Sequence, residues 1–218
     1  MISAYAKDAG FGNSADPVLG AKVHIFGVIL AGGAARRMGG QDKALLSLGG
    51  QSLVDRARAR LEPQVARLAI SANGDAARFK GDTAILPDEE SQGPLSGILA
   101  SLDWAAPLGA TSVVSVAVDT PFFPADLVPH LCLAAERSQH GVAIAASGGV
   151  DHPTCGLWPV ALRNELRAFL ASGAKTRVMD FARAHDAARA VFGDNQAFTN
   201  VNTPEDLALA ALMLGGLS

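Results

Sequence analysis

Apolar positions along this chain follow two rhythms. Short, near-continuous runs rich in β-branched residues read as strands buried on both faces. Between them, apolar residues recur every three or four positions, the spacing of helices packed on one side. The first run, Val23–Leu30, ends in paired glycines. Ala44–Leu48 reads as a short strand turned by Gly49-Gly50. Ser52 then opens a helix, with Asp55 at capping-box spacing and Leu53, Ala57 and Leu61 on its apolar face. Strands are expected at 67–73 and 83–88, and a glycine turn leads into a helix from about Leu95 to Ala105. The valine-rich run at 111–124 is the clearest strand, with Asp119 at its carboxyl end.

Pro124 and Asp126 start the next helix, where Pro129 is tolerated only within the first turn or two. Further strands are expected at 141–147 and 154–160, then helices near 160–171 and 176–187 separated by Gly173, and a last strand at 197–202. Thr203-Pro204-Glu205-Asp206 combines an N-cap, a first-position proline and a capping-box acid. Residues 1–22 are small, polar and glycine-rich and show neither rhythm. They are expected to be a mobile extension in front of one domain, 23–218.

Strands alternating with helices imply βαβ units and a mostly parallel sheet covered on both faces, a three-layer, Rossmann-like α/β fold. Ligands of such sheets lie beyond the carboxyl ends of the strands. The segments that follow the strands here are rich in chemistry: the glycine loop, Ser71–Asn73, Asp88, Asp119 and Asn200–Asn202. Topology should bring them to one edge.

Composition narrows the picture. A formal net charge of −3 argues against a general nucleic-acid binder, so any anion site must be built locally. The two cysteines, Cys132 and Cys155, form no CxxC pair and suggest neither a disulfide framework nor a zinc ribbon. No apolar run is long enough to span a bilayer, and residues 207–217 read as a packed helix. No convincing export signal is present, so the cytoplasm is the default expectation. The histidines lack metal-site spacing, and a Gly-x-Ser-x-Gly elbow is absent.

The stretch FGVILAGGAARRMGGQDKALL, residues 26–46, carries the strongest chemical signal. It is neither a P-loop nor a GxGxxG fingerprint. Its glycines let backbone N–H groups approach an anion, while Arg36, Arg37 and Lys43 can neutralise phosphate oxygens. Asp119 is placed for magnesium, which prefers one or two carboxylates plus phosphate oxygens and water; the same residue would also serve as a turn cap. Asp88 lies in a charged loop. His152 suits either a phosphate hydrogen bond, acid chemistry or a structural role, and Asn202 either a site or a turn.

Four later motifs follow: DTPFFP from Asp119, HPTCGLWP from His152, TRVMDFA from Thr176 and NVNTPEDL from Asn200. The glycine stretch resembles the signature of nucleotidyltransferases, and the four motifs narrow the resemblance to the molybdenum cofactor guanylyltransferases. It runs from about Phe26 to the C-terminus. It implies transfer of GMP from GTP to the molybdenum–molybdopterin cofactor, with magnesium as cofactor and release of pyrophosphate. By position, Leu30, Ala31, Gly32 and Gly33 would hold GTP by backbone contacts, with Arg37 and Lys43 at the phosphates. Asp88 and Ser71 would lie near the nucleoside, and Asp119 would bind the metal. Gly93, Gly97, His152, Asn200 and Asn202 form the set expected around the second substrate. Ser71 departs from the family, which commonly has asparagine two residues before the position of Asn73. Handover of the product to molybdoenzymes or their chaperones is a family expectation. The alternatives are cytidylyl or sugar-1-phosphate transfer, and a nucleotide-binding module without catalysis.

Overall fold

The structure is a computed structural model that describes residues 24–32, 42–87, 93–172 and 177–215. It begins with β1 (Ile25–Leu30), a small hairpin of β2 (Ser47–Leu48) and β3 (Gln51–Ser52), and α1 (Leu53–Leu61). There follow β4 (Arg67–Ser71), β5 (Ala84–Leu86), α2 (Pro94–Ala105), β6 (Ser112–Ala117) and α3 (Leu127–Ala135). The last part comprises β7 (Ala143–Ser147), β8 (Val150–Pro159), α4 (Arg163–Ala171), α5 (Val178–Ala184), β9 (Ala188–Phe192) and α6 (Pro204–Gly215).

Seven strands form one sheet in the order β5-β4-β1-β6-β8-β7-β9. Only β8 runs against its neighbours. The reason is local: β7 and β8 are joined by Gly148-Gly149 alone, with φ of 54° and 82°. Two residues of positive φ make a tight hairpin, whereas a parallel return needs a long crossover.

Period-two alternation along β1 sorts its side chains between the two faces. Phe26, Val28 and Leu30 pack with Leu95, Ile98, Leu102, Leu166 and Phe181 from α2, α4 and α5. Ile29 packs on the other face with Leu53, Leu61, Leu127 and Leu131 from α1 and α3. The result is the three-layer α/β architecture that the rhythms predict, with burial of each large side chain contributing about 1.5–3 kcal/mol. The buried Trp158 indole finds its polar partner in Ser115, its Nε1–H donating to Oγ at 2.9 Å.

Two expectations are corrected. Residues 43–45 form a single 3₁₀ turn, and only Ser47–Leu48 pair as strand. Asp42 causes this, because its side chain accepts the Ala44 N–H at 3.0 Å and so caps a turn. No strand forms at 197–202, whose polar groups serve the site described below. The sheet edge is taken instead by β9, which follows the helix end at His185 and the left-handed Asp186, φ 51°. Pro129 is the third residue of α3, inside the first turn, where no intrahelical N–H is needed.

Candidate active site at the carboxyl edge of the sheet

The ends of four parallel strands are stitched one step beyond their regular ladders. Ala31 N–H donates to Ser71 O at 2.9 Å, Val118 N–H to Leu30 O at 3.1 Å, and Ala72 N–H to Leu86 O at 3.0 Å. Gly32 then stands exposed, and among the described residues a side chain there would touch nothing within 4 Å. Gly97 is the opposite case. A Cβ on it would come within 2.6 Å of Ser71 Oγ and 2.9 Å of Leu30 Cδ2. Its bare backbone is what lets α2 lie against the strand ends. Gly93 caps that helix at φ 95°, a conformation L side chains rarely adopt.

Lys43 reaches this edge from the turn capped by Asp42. Its ammonium donates to Asp119 Oδ2 at 2.9 Å and to Asn202 Oδ1 at 2.7 Å. The Asp42 carboxylate, besides capping the turn, pairs with Arg78 Nε at 2.6 Å and so ties the turn to the segment after β4. The side chains of Lys43 and Asp119 remain 21% and 28% exposed. An ion pair this open adds at most about 1 kcal/mol to folding, so its chemical availability is the more informative property.

Behind the ion pair lies a second layer of bonds. Val201 N–H donates to Asp119 O at 2.8 Å. Thr120 Oγ1 donates to Asn200 Oδ1 at 3.0 Å and lies 3.4 Å from Asp119 Oδ1. Asp206 Oδ2 accepts the N–H groups of Asn202 at 2.8 Å and Thr203 at 2.9 Å. The Asn202 N–H is the largest influence holding the Asp206 carboxyl below its ordinary value. The bonds from Thr203 and the charge of Lys43 act the same way, and desolvation opposes them.

His152 lies on β8, whose first residues sit at the same edge because that strand runs backwards. Its described partners are Ser147 Oγ, 2.9 Å from Nε2, and Phe198, on which the ring stacks at 4.5 Å. Burial pushes its pKa down, with Asp151 pulling it back up. Cys155 is fully buried, and burial pushes its thiol up to about 12, so no thiolate is available beside Asp119. Among the described residues no group of three or more His, Cys, Asp or Glu side chains forms a cation cage.

The structure therefore brings together Lys43, Asp119, Asn200 and Asn202, and sets Leu30, Ala31, Gly32, Ser71 and Gly97 along the adjoining strand ends. Gly33, Arg36, Arg37 and Asp88 lie outside the described residues. Sequence reasoning missed Thr120 as a partner of Asn200, and Asp42 as the tie to Arg78. It read Asp206 as a helix cap without seeing that the same oxygen holds Asn202. The TPED spacing was the available signal for the last.

A model of the MobA-like NTP transferase domain matches residues 27–189. The chain belongs to that family. A molybdenum cofactor guanylyltransferase of Cereibacter sphaeroides is 57% identical over 193 residues, covering 88% of this chain and 98% of the relative. Another, from Mesorhizobium japonicum, is 44% identical over 203 residues, with 89% and 98% covered. Among solved structures, a molybdopterin-guanine dinucleotide biosynthesis protein A from Archaeoglobus fulgidus superposes with a TM-score of 0.72 at 20% identity. It covers 88% of this chain and 99% of its own, and supports the fold. Among the described residues no helix is long and apolar enough to cross a membrane.

Proposed function

We propose that this MobA-like NTP transferase moves GMP from GTP to molybdenum–molybdopterin, forming molybdopterin guanine dinucleotide and releasing pyrophosphate. The observation that carries the site assignment is the meeting of Lys43 with Asp119 and Asn202, 76 and 159 positions away in the chain. They meet where β1 ends and the glycine loop begins. The guanylyltransferase reading of that site is supported by relatives of that name at 44–57% identity.

In the reaction a terminal phosphate oxygen of the acceptor attacks the α-phosphorus of GTP in line. The bond from that phosphorus to the oxygen bridging to the β-phosphate breaks, and its electron pair leaves on pyrophosphate. The nucleophile is already anionic, so little proton transfer is needed. The obstacle is bringing two polyanions together, and fixed charges and donors aimed at the transferring group overcome it. Lys43 supplies a point charge to the phosphates, and Arg36 and Arg37 are candidates for further phosphate contacts. Asn200 and Asn202, which meet Thr120 and Lys43 beside Asp119, are the candidates to hold the acceptor.

Asp119 would hold magnesium. A partly exposed carboxylate with no acid cage around it among the described residues fits an ion that takes most of its remaining ligands from phosphate and water. When bound, the ion supplies charge neutralisation to the triphosphate and to the departing pyrophosphate.

Pyrophosphate release tests the proposal, measured with molybdenum–molybdopterin and each of GTP, CTP, ATP and UTP in turn. Release with GTP well above the other three is expected. Preference for CTP would replace guanylyl by cytidylyl transfer. Nucleotide binding without release from any of the four would mark a non-catalytic module.

A further inference from the structure

We infer that Thr120 is a positioning residue: its hydroxyl turns the Asn200 amide so that the NH₂ end faces the acceptor substrate. The inference rests on the proposed function and adds to it the polarity of the acceptor subsite. A carboxamide has one acceptor end and one donor end of nearly the same shape, and its partners decide which is presented. Thr120 is 3% exposed and held in its turn by its own N–H, which donates to Ala117 O at 3.1 Å. Asn200 is exposed, on a segment clamped by the bond from Val201 N–H to Asp119 O. The hydroxyl has one proton and two oxygens in reach, Asn200 Oδ1 at 3.0 Å and Asp119 Oδ1 at 3.4 Å; given to the nearer, it occupies Oδ1 and leaves the NH₂ group of Asn200 for a ligand.

Asn202 follows the same logic with no ambiguity. An ammonium has donors only, so Lys43 at 2.7 Å must face Asn202 Oδ1. Both asparagines thus commit their oxygens to the protein, which leaves their NH₂ groups for a ligand. Two neutral N–H donors suit an oxyanion such as the phosphate of the acceptor. They bind it without a further cation competing for Asp119. An acceptor presenting hydrogen-bond donors there would be rejected, because nothing in the pair would accept them.

A double-mutant cycle tests this in the full-length chain with molybdenum–molybdopterin and GTP as substrates. Thr120→Val keeps the β-branched shape and removes the O–H. It should raise KM for the acceptor about tenfold, the usual scale for losing the partner of a polar group, and leave KM for GTP within twofold. Thr120→Ser should restore the acceptor KM. Thr120→Val combined with Asn200→Ala should be no worse than Asn200→Ala alone. Wild-type behaviour of Thr120→Val, beside an impaired Asn200→Ala, would overturn the inference and leave the proposed function intact. Fully additive losses would also overturn it. An Asn200→Ala variant indistinguishable from wild type would remove both the inference and the acceptor site. Asn200→Asp, an exposed change that spares the buried threonine, gives an independent check. It should bind the acceptor worse than Asn200→Ala, and equal or tighter binding would contradict the donor assignment.

Discussion

Helices α1 and α6 begin with nearly matching caps. On α1, Ser52 Oγ accepts the Asp55 N–H at 3.1 Å and donates back to Asp55 Oδ2 at 2.6 Å, while Asp55 Oδ1 takes Arg58 from the same helix. On α6, Thr203 Oγ1 accepts the Asp206 N–H at 3.1 Å, and Asp206 Oδ2 accepts from Thr203 in return. The two acids differ in what else they hold: Asp55 takes an arginine of its own helix, Asp206 a backbone N–H ahead of the cap. Asp206 also reaches past the cap to the N–H of Asn202, whose side chain receives Lys43. The α1 cap residue closes the two-residue strand β3 and stabilises a helix. The α6 cap stands at the carboxyl edge of the sheet and fixes a residue that touches the ion pair. Similar local chemistry reaches the ion pair in one case and not in the other because of its place in the fold.

The comparison can be broken at graded strength. Asp119→Asn keeps the shape at the head of the network and removes the charge that holds Lys43 and would hold the metal. It should slow pyrophosphate release at least about a hundredfold, ~2.7 kcal/mol, with the melting temperature nearly unchanged. Near-wild-type turnover would detach Asp119 from the chemistry. Lys43→Ala should cost about tenfold or more, roughly 1.4 kcal/mol, and the loss should appear at saturating GTP. Asp206→Ala should weaken the helix and also raise KM for the acceptor, measured beside Ser52→Ala. The latter should lose about 1 kcal/mol of stability and keep its kinetic constants. Equal kinetic effects in the two would erase the distinction between the caps.

The smallest effect is on pH. Asp206 has its folded pKa depressed, so its contribution is complete above the ordinary carboxylate range and is lost as pH falls through the lower folded value. The melting-temperature gap between wild type and Asp206→Ala should be flat from pH 8 to about 5 and shrink only below about pH 4. A gap that closes near neutrality would assign the stability to a different group.

Much of the fold was legible because burial imposes a period. The alternation in β1 and the apolar stripe of Leu53, Ala57 and Leu61 on α1 follow directly from which side chains meet the core. The end of the chain was less legible. Residues 197–202 have the composition of a strand, yet the N–H groups of Val201 and Asn202 go to Asp119 and Asp206, partners remote in sequence or reserved for a cap. The edge strand β9 has only one buried face, with Ala190 and Phe192 inward and Arg189 and Val191 outward, and its signal ran into the preceding helix. Lys43, Asp119, Asn200 and Asn202 were visible as residue types that follow strands. Their mutual contacts were not, because spacing cannot show which loops meet or that a buried threonine turns an amide.

The central claim is that Lys43 and Asp119 part to take opposite ends of the same task, one on phosphate and the other on metal. A crystal structure with a non-hydrolysable GTP analogue and manganese tests this most directly. The account predicts an anomalous peak against the Asp119 carboxylate and a triphosphate oxygen within hydrogen-bond reach of Lys43 Nζ. Nucleotide and metal bound elsewhere, with Lys43 still paired to Asp119, would contradict it.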